Sequence, residues 1–357
     1  MTIHVMISAP YMQPVVDRFR PFFEANGIDL VVPPVNERME EGELLAWIGT
    51  IDGVICGDDR FTARVLQAAP RLKVISKWGT GIDSIDQAAC AAHGIAVRNT
   101  PNAFSEPVAD SVLGYLLCYA RCLPWMNEAM RQGRWHKIPG RALRECTLGV
   151  IGVGNVGKAV VRRAVAFGME ILGHDVRPVD PAFLAETGLT MVSREDLLRR
   201  ADFVTLHCDL NPSSYHLMND DAFSLMRPSA VLINTARGPV VDEAALVRAL
   251  QAGRLAGAAL DVFEHEPLPA DSPLRRMNQV MLAPHNANSS AEAWEHVHRN
   301  TINNLLGVFQ QTFPNRSFRL LAPGDQALRP AADAQPAREA RHTRLSRHGA
   351  GQPTWTS

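Results

Sequence analysis

The sequence predicts an α/β protein of two doubly wound domains, each built on a mainly parallel sheet. Three observations carry that expectation. Short apolar runs alternate with segments of helical periodicity from the N-terminus to about residue 310. One run, 148–151, passes through Gly152, Gly154 and Gly157 into an amphipathic segment, and the next run ends at Asp175. The chain has 357 residues, 46% of them hydrophobic, which is enough for two cores.

Taken in order, apolar runs at 3–7, 28–32, 52–55, 72–76 and 95–99 read as strands of a first domain of about a hundred residues. Segments 14–25 and 60–69 carry apolar residues at helical spacing, and Gly27 and Gly94 sit where helices would end. Residues 105–121 read as a strong helix bridging two domains, with Ser105 as its cap, Glu106 in the first turn and Pro107 where proline is tolerated. The following 122–146 is polar and aromatic by turns and reads as an arm. Its Trp125 and Trp135 suit either a subunit interface or packing on their own domain.

The glycines at 152, 154 and 157 have the strand-loop-helix context of a dinucleotide-binding, Rossmann-type fingerprint. Gly152 permits the tight turn, Gly154 lets a pyrophosphate approach the backbone, and Gly157 allows the helix to pack close on its strand. The helix N-terminus then offers unpaired N–H groups and a positive dipole end to the phosphates. Asp175 lies about 20 residues on, where a carboxylate accepts from a ribose 2′-hydroxyl and repels a 2′-phosphate, so NAD is the expected cofactor. Arg162 and Arg177 nearby leave NADP as the minor alternative.

Further strands are expected at 202–207, 230–237, 257–263 and 279–285, each ending in a polar or charged residue. In an open parallel sheet ligands bind outside the carboxyl ends of the strands, so His207, Arg237, Asp261 with Glu266 beyond it, and His285 are expected to face one crevice. A helix over 291–310 returns the chain to the first domain. From 313 to 357 Pro, Ala, Arg, Gln and Ser dominate without periodicity, which reads as a disordered tail.

The types of these strand-end residues suggest a chemistry. A guanidinium at Arg237 can grip a carboxylate through two parallel hydrogen bonds and polarise an adjacent carbonyl. A carboxylate at Glu266 touching the imidazole of His285 would fix its tautomer and raise its pKa toward the working pH. Oxidising a hydroxyl requires removing its proton as hydride leaves, and the reverse requires donating one; a histidine near neutrality serves both. Singly these residues read equally as a surface ion pair, a turn residue and a core histidine, but together they read as an acid/base set. No metal is expected, because His285, His296 and His298 lack metal-ligand spacing. A net charge of −1 offers no basic excess for nucleic acid or an anionic membrane. Six cysteines without paired spacing read as reduced thiols and point to a cytoplasmic location; neither a signal peptide nor a membrane span is expected.

With these motifs in hand, the chain resembles the D-isomer-specific 2-hydroxyacid dehydrogenase family, in particular its phosphoglycerate-dehydrogenase-like branch. The resemblance rests on KWGTGIDSID at 77–86, NTPNAFSEPVAD at 99–110, the glycine loop, NTARGPVVDEAAL at 234–246, GAALDVFEHEP at 257–267 and APHNANSS at 283–290. It implies Arg237, Glu266 and His285 as a catalytic triad. It implies that the backbone around Trp78, Gly79, Thr80 and Gly81 meets the substrate carboxylate, with Arg237 and His285 also on the substrate. Gly152, Gly154, Asn155, Val156, Gly157 and Asp175 would line the cofactor, as would His207, Thr235 and Ala236, with Asp261 at the nicotinamide amide. The domains it implies are a flavodoxin-like substrate domain (1–101), an inserted Rossmann NAD-binding domain with a dimerisation helix and arm (102–286), and a return helix (287–312). A homodimer formed through residues 105–146 is implied in the same way.

The expected function is therefore NAD-dependent interconversion of a D-2-hydroxy acid and its 2-oxo acid, 3-phosphoglycerate or a related acid among them. The alternatives are a phosphite- or formate-type dehydrogenase on the same scaffold and a non-catalytic NADH-sensing binding protein. Three departures from the family pattern stand out. Asn155 replaces a frequent Arg, Asp209 replaces a usual Pro, and Cys56, Gly57, Asp58 and Asp59 replace the Arg-Ser pair common in the phosphoglycerate branch. The two acids count against a phosphorylated substrate unless Arg60, Lys77 or an arm residue compensates.

Overall fold

The computed structural model describes residues 2–322 and Asp325. Its first sheet has five strands, β1 (Ile3–Ile7), β2 (Ile28–Val31), β3 (Gly53–Cys56), β4 (Val74–Lys77) and β5 (Ala96–Arg98), in the order β2-β1-β3-β4-β5. All of its pairs are parallel. This is the flavodoxin-like order, with its switch point between β1 and β3. β3 and β4 are buried along their whole length, which is why β3 is a continuous apolar run; the buried polar pair Ser76 and Lys77 of β4 is satisfied instead by the Thr301 carbonyl and by Asp58.

The second sheet has seven parallel strands: β6 (Thr147–Ile151), β7 (Glu170–His174), β8 (Thr190–Met191), β9 (Phe203–Leu206), β10 (Val231–Asn234), β11 (Gly257–Leu260) and β12 (Val280–Leu282). Their order, β12-β11-β10-β9-β6-β7-β8, is doubly wound with the switch point between β6 and β9. The fold class expected from the sequence is thus the one observed.

Two long helices connect the sheets. The helix Ser105–Ala120 follows β5 and packs against the helix Asn155–Ala166 of the second sheet. It differs from expectation at its start: Phe104 occupies the cap position without a side-chain bond, and Ser105 is the first helical residue. The first turn is held instead by Arg163, which bridges Glu106 and Asp110. The helix Ala291–Thr312, capped by Ser290, returns to β3, β4 and β5. Gly53 lets it come close, because a Cβ there would lie 2.6 Å from Phe309 Cζ.

Two further segments depart from expectation. The supposed arm contains a helix, Leu123–Arg131, with proline in its first turn. Trp125 packs on its own domain, with its ring 5.1 Å from Tyr119 and its Nε1 donating to Asn278 O, whereas Trp135 is 85% exposed. The tail does not begin at 313. Phe318 and Leu321 are buried, Phe313 and Phe318 extend the ring cluster of Phe309, and the Arg319 and Leu321 amides donate to the side chains of Asn26 and Asn303. Three apolar side chains in nine residues suffice to seat that segment on the return helix, although it lacks periodicity. The remainder of the expected tail, beyond 322 apart from Asp325, lies outside the described residues.

Candidate active site

The glycine loop leaves β6 at the switch point of the second sheet. Gly152 has φ +92° and packs where a Cβ would strike the His207–Cys208 peptide. At Gly157 a Cβ would run into the Gly152 carbonyl, so the helix meets its strand as closely as the fingerprint requires. Nothing lies within 4 Å of a Cβ built on Gly154, so that face of the loop is open. No side chain caps the helix Asn155–Ala166, and its first N–H groups are left for a phosphate. Asn155 is exposed beside the half-buried Val156.

Asp175 is fixed beside this loop, accepting from Val153 N at 2.7 Å and Arg177 N at 2.8 Å. Arg162, the possible partner of a 2′-phosphate, is tied to Glu186 at 2.9 Å. Across the switch point, enclosure pushes the His207 imidazole down to about 3, so it is neutral, with Nε2 at 2.9 Å from Thr205 Oγ1. Thr235 Oγ1 is buried without a hydrogen-bond partner, and Ala236 N donates to Asn234 Oδ1, which holds the turn after β10 in shape. An open glycine loop, an uncapped helix, a ribose-directed acid and an orphaned hydroxyl are what a bound dinucleotide needs.

The charged strand-end groups converge as well. Glu266 and His285 follow the neighbouring strands β11 and β12, and His285 Nδ1 lies 3.0 Å from Glu266 Oε2. Glu266 is itself held by Phe263 N at 2.9 Å on its other oxygen. His285 has φ +51°, an uncommon conformation for a side-chain-bearing residue. The turn that imposes it is buttressed by Asp261: its carbonyl accepts from His285 N, and its two carboxylate oxygens accept from Asn286 N and Ala287 N. Asp261 is thus 1% exposed and spent on shaping this turn, with one lone pair left on each oxygen. Burial pushes the His285 imidazole down, but the hydrogen bond and charge of Glu266, reinforced by Asp58, outweigh it and hold the pKa above the ordinary histidine value.

Arg237 crosses from the second sheet to the first. Its Nε meets Asp83 Oδ1 at 3.1 Å and its Nη1 donates to Ala236 O. A Cβ built on Gly81 would coincide with Arg237 Nη2, so only glycine admits the guanidinium to that place. The segment Trp78–Gly81 is shaped by Thr100 N donating to Gly79 O, Thr80 Oγ1 donating to Thr100 O and Asn99 Nδ2 donating to Thr80 O. That leaves the amide N–H groups of Gly79, Thr80 and Gly81 without an acceptor among the described residues. Beside a guanidinium, such a run of free donors has the chemistry to receive an anion. Trp78 itself is buried and donates through Nε1 to His298 Nδ1 at 2.9 Å.

Several cleft residues escaped the sequence reading. Asp83 sits in the quoted KWGTGIDSID stretch, but only the crossing of two domains reveals its pairing with Arg237. Tyr11 and Glu37, joined at 3.2 Å, come from loops after β1 and β2 and carried no motif. Asp58, two residues after β3, and Lys77, the last residue of the neighbouring β4, were both legible in the sequence and form an ion pair at 2.9 Å. Of the compensating cations considered for the acids after β3, Lys77 is therefore the one that pairs.

Comparison with known proteins bears on the family. The model of the D-isomer specific 2-hydroxyacid dehydrogenase NAD binding domain matches residues 113–287. A glyoxylate reductase of Thermofilum pendens is 37% identical over 289 residues, which are 79% of this chain and 84% of that protein. The chain belongs to the D-isomer-specific 2-hydroxyacid dehydrogenase family. A D-3-phosphoglycerate dehydrogenase of Methanocaldococcus jannaschii is 41% identical over 244 residues, 67% of this chain but only 46% of that protein. Among solved structures, D-lactate dehydrogenase from Aquifex aeolicus complexed with NAD and lactic acid superposes with a TM-score of 0.78 at 28% identity, covering 87% of this chain and 96% of that one. The protein is accordingly an NAD-dependent oxidoreductase of this family. No helix among the described residues is long and apolar enough to cross a membrane.

Proposed function

We propose that this dehydrogenase interconverts a small, unphosphorylated D-2-hydroxy acid and its 2-oxo acid, with Arg237, Glu266 and His285 as its reacting set. The observation that carries the proposal is the guanidinium of Arg237 filling the Cβ position of Gly81, beside the three free amides of Gly79, Thr80 and Gly81. Those donors suit a carboxylate, and Arg237 also reaches the adjacent C2 oxygen. Bound NAD supplies the hydride acceptor or donor for C2. His285 keeps Nε2 for the substrate because Glu266 occupies Nδ1. In the reducing direction the imidazolium donates its proton to the carbonyl oxygen, and in the oxidising direction the neutral ring takes the hydroxyl proton. Glu266 stabilises the charged ring and fixes its tautomer; Asp83 and Gly81 orient Arg237.

Gly152, Gly154, Asn155, Val156 and Gly157 are assigned to the pyrophosphate, Asp175 to the ribose, and His207, Thr235, Ala236 and Asp261 to the nicotinamide half. The pairing of Lys77 with Asp58 and the long overlap with a glyoxylate reductase favour an unphosphorylated substrate. Residues 1–101 and the return helix are assigned to substrate, and 102–286 to cofactor. A homodimer is assigned to the face bearing the exposed Leu123, Met130 and Trp135, and six free cysteines suit a reducing compartment. The test is the loss of NADH absorbance with glyoxylate, pyruvate, hydroxypyruvate and 3-phosphohydroxypyruvate. Turnover of the unphosphorylated acids ahead of the phosphorylated one is expected; turnover of the phosphorylated acid alone, or of none, contradicts the proposal.

A further inference from the structure

Arg237 and Glu266 stand on separate turns, one after β10 and one after β11, and the proposed reaction needs both turns in one setting. Two contacts join them. A Cβ built on Gly238 would run into the Phe263–Glu264 peptide, so the backbone beside Arg237 rests directly on the start of the Glu266 turn. The second contact is made by one residue of the loop after β9, His216. Its backbone N–H donates to Pro239 O at 2.8 Å, two residues from Arg237, while its imidazole Nε2 lies 2.6 Å from Glu264 Oε1, two residues from Glu266.

The surrounding structure holds this bridge from both ends. His216 has φ +49°, a conformation uncommon for a side-chain-bearing residue, and its loop is tied to the Arg237 turn by Met218 N donating to Val240 O and Asp242 N donating to Met218 O. Tyr215 stacks on the imidazole at a centroid distance of 4.0 Å and an interplanar angle of 16°, which restricts the ring. At the other end Glu264 is clamped to the first turn of the helix Glu243–Gln251: Glu243 N donates to Glu264 Oε1 at 3.3 Å, and Glu264 N donates to Glu243 Oε2 at 3.1 Å. Among the described residues neither His216 nor Glu264 is hydrogen-bonded to the side chain of Arg237, Glu266 or His285.

We infer that His216, acting through Glu264, is a positioning residue for the reaction: it locks the turn of Arg237 to the turn of Glu266 and so sets the contact between Glu266 and His285. The inference rests on the proposed roles of those three residues and adds the one that aligns them. His285 is faced by Asp58, Arg237, Asp261 and Glu37 as well as by Glu266, but among the described residues only Glu266 is hydrogen-bonded to its ring. A shift of the Glu266 turn therefore loosens the one bond that holds the imidazolium, and a misplacement of about 1 Å costs up to about a hundredfold in rate.

The experiment measures kcat, KM, the pH-rate profile of reduction, NADH affinity and Tm with the best 2-oxo acid in the wild type, Glu266→Gln, His216→Asn, His216→Gln and Glu264→Ala. Asparagine accepts a positive φ but is too short to reach Glu264, whereas glutamine places an amide N–H close to where Nε2 stands. His216→Asn is expected to lower kcat about tenfold, as loss of one hydrogen bond to a charged group implies, with NADH affinity unchanged. Its fall in rate with rising pH should begin at lower pH, as in Glu266→Gln, and His216→Gln should recover most of both effects. Glu264→Ala, which leaves the backbone of His216 untouched, should match His216→Asn and carries the comparison if that variant does not fold; combining the two should add little, because both remove the same bond. A normal kcat with an unmoved profile, equal losses in His216→Asn and His216→Gln, or a loss confined to Tm overturns the positioning role, and the reaction stands if Glu266→Gln still moves the profile. No turnover by the wild type, or an unmoved profile in Glu266→Gln, overturns the proposed reaction and the inference with it.

Discussion

Replacing Gly81 by Ala tests the crossing between the two sheets with a single methyl group. The new Cβ would coincide with Arg237 Nη2 and lie 2.8 Å from Cζ and 3.0 Å from Asp83 Oδ1. The guanidinium must swing away, because its approach from β10 is fixed by Asn234 and by Gly238, whose α-carbon is packed against the Phe263–Glu264 peptide. That movement breaks the 3.1 Å pair with Asp83 and the alignment with the amides of Gly79 to Gly81. A hydrogen bond to a charged group contributes about 1.5–3 kcal/mol, and at 1.4 kcal/mol per decade the expected loss in kcat/KM is roughly ten- to a hundredfold. It should fall on KM and kcat together, since Arg237 holds the carboxylate in ground and transition states alike and polarises the C2 oxygen as charge develops on it. Steady-state kinetics with the best 2-oxo acid measures it, and NADH affinity by fluorescence titration serves as the control. Kinetics like the wild type would refute the placement of Arg237 on the substrate; lost NADH binding would mean the methyl disturbs more than this cleft.

Three further outcomes are expected. In Glu266→Gln the ring of His285 loses the charge that holds its pKa up, so the fall in the rate of 2-oxo acid reduction with rising pH should begin at lower pH, with activity near neutrality down about tenfold or more; a pH-rate profile measures both. In Asp175→Ala the ribose-directed carboxylate and the acceptor of Val153 N disappear together, so NADH should bind about tenfold more weakly while NADPH is less disfavoured, read by paired titrations. Asp202, 5% exposed, accepts from Arg141, Arg227 and Thr147 N; burial raises its carboxyl, but these partners outweigh it and hold it below the usual range. Its stabilisation is therefore complete above the unfolded carboxylate pKa and lost as pH falls through the lower folded value. Asp202→Ala should cost about 2 kcal/mol near neutrality, and its deficit in Tm should shrink in strong acid.

The central strands were readable because both sheets are parallel and their inner strands are buried. β1 was expected at 3–7 and spans Ile3–Ile7, and β3, β4, β9, β10 and β11 are buried at every position, which keeps their runs mostly apolar. Expected ends overshot by a few residues wherever the polar strand-end groups continue the pattern, as at 279–285 against Val280–Leu282. Glu266 and His285 could be named together because parallel neighbours end on one side of a sheet, and that side is where their 3.0 Å contact lies. Asp83, Tyr11 and Glu37 could not, since their partners come from other domains or loops and no local period records such a meeting. Asp261 illustrates a subtler limit. Its position was readable, but its grip on Asn286 N and Ala287 N, which bends His285 into a positive φ, is a property of the folded turn.

The most direct measurement is turnover by His285→Ala beside its NADH affinity. A shared cleft predicts that reduction of the preferred 2-oxo acid falls about a hundredfold or more, with NADH bound as tightly as before. Reduction at the normal rate by the variant would contradict the account, because the proton would then come from elsewhere and the pairing of His285 with Glu266 would serve only the fold.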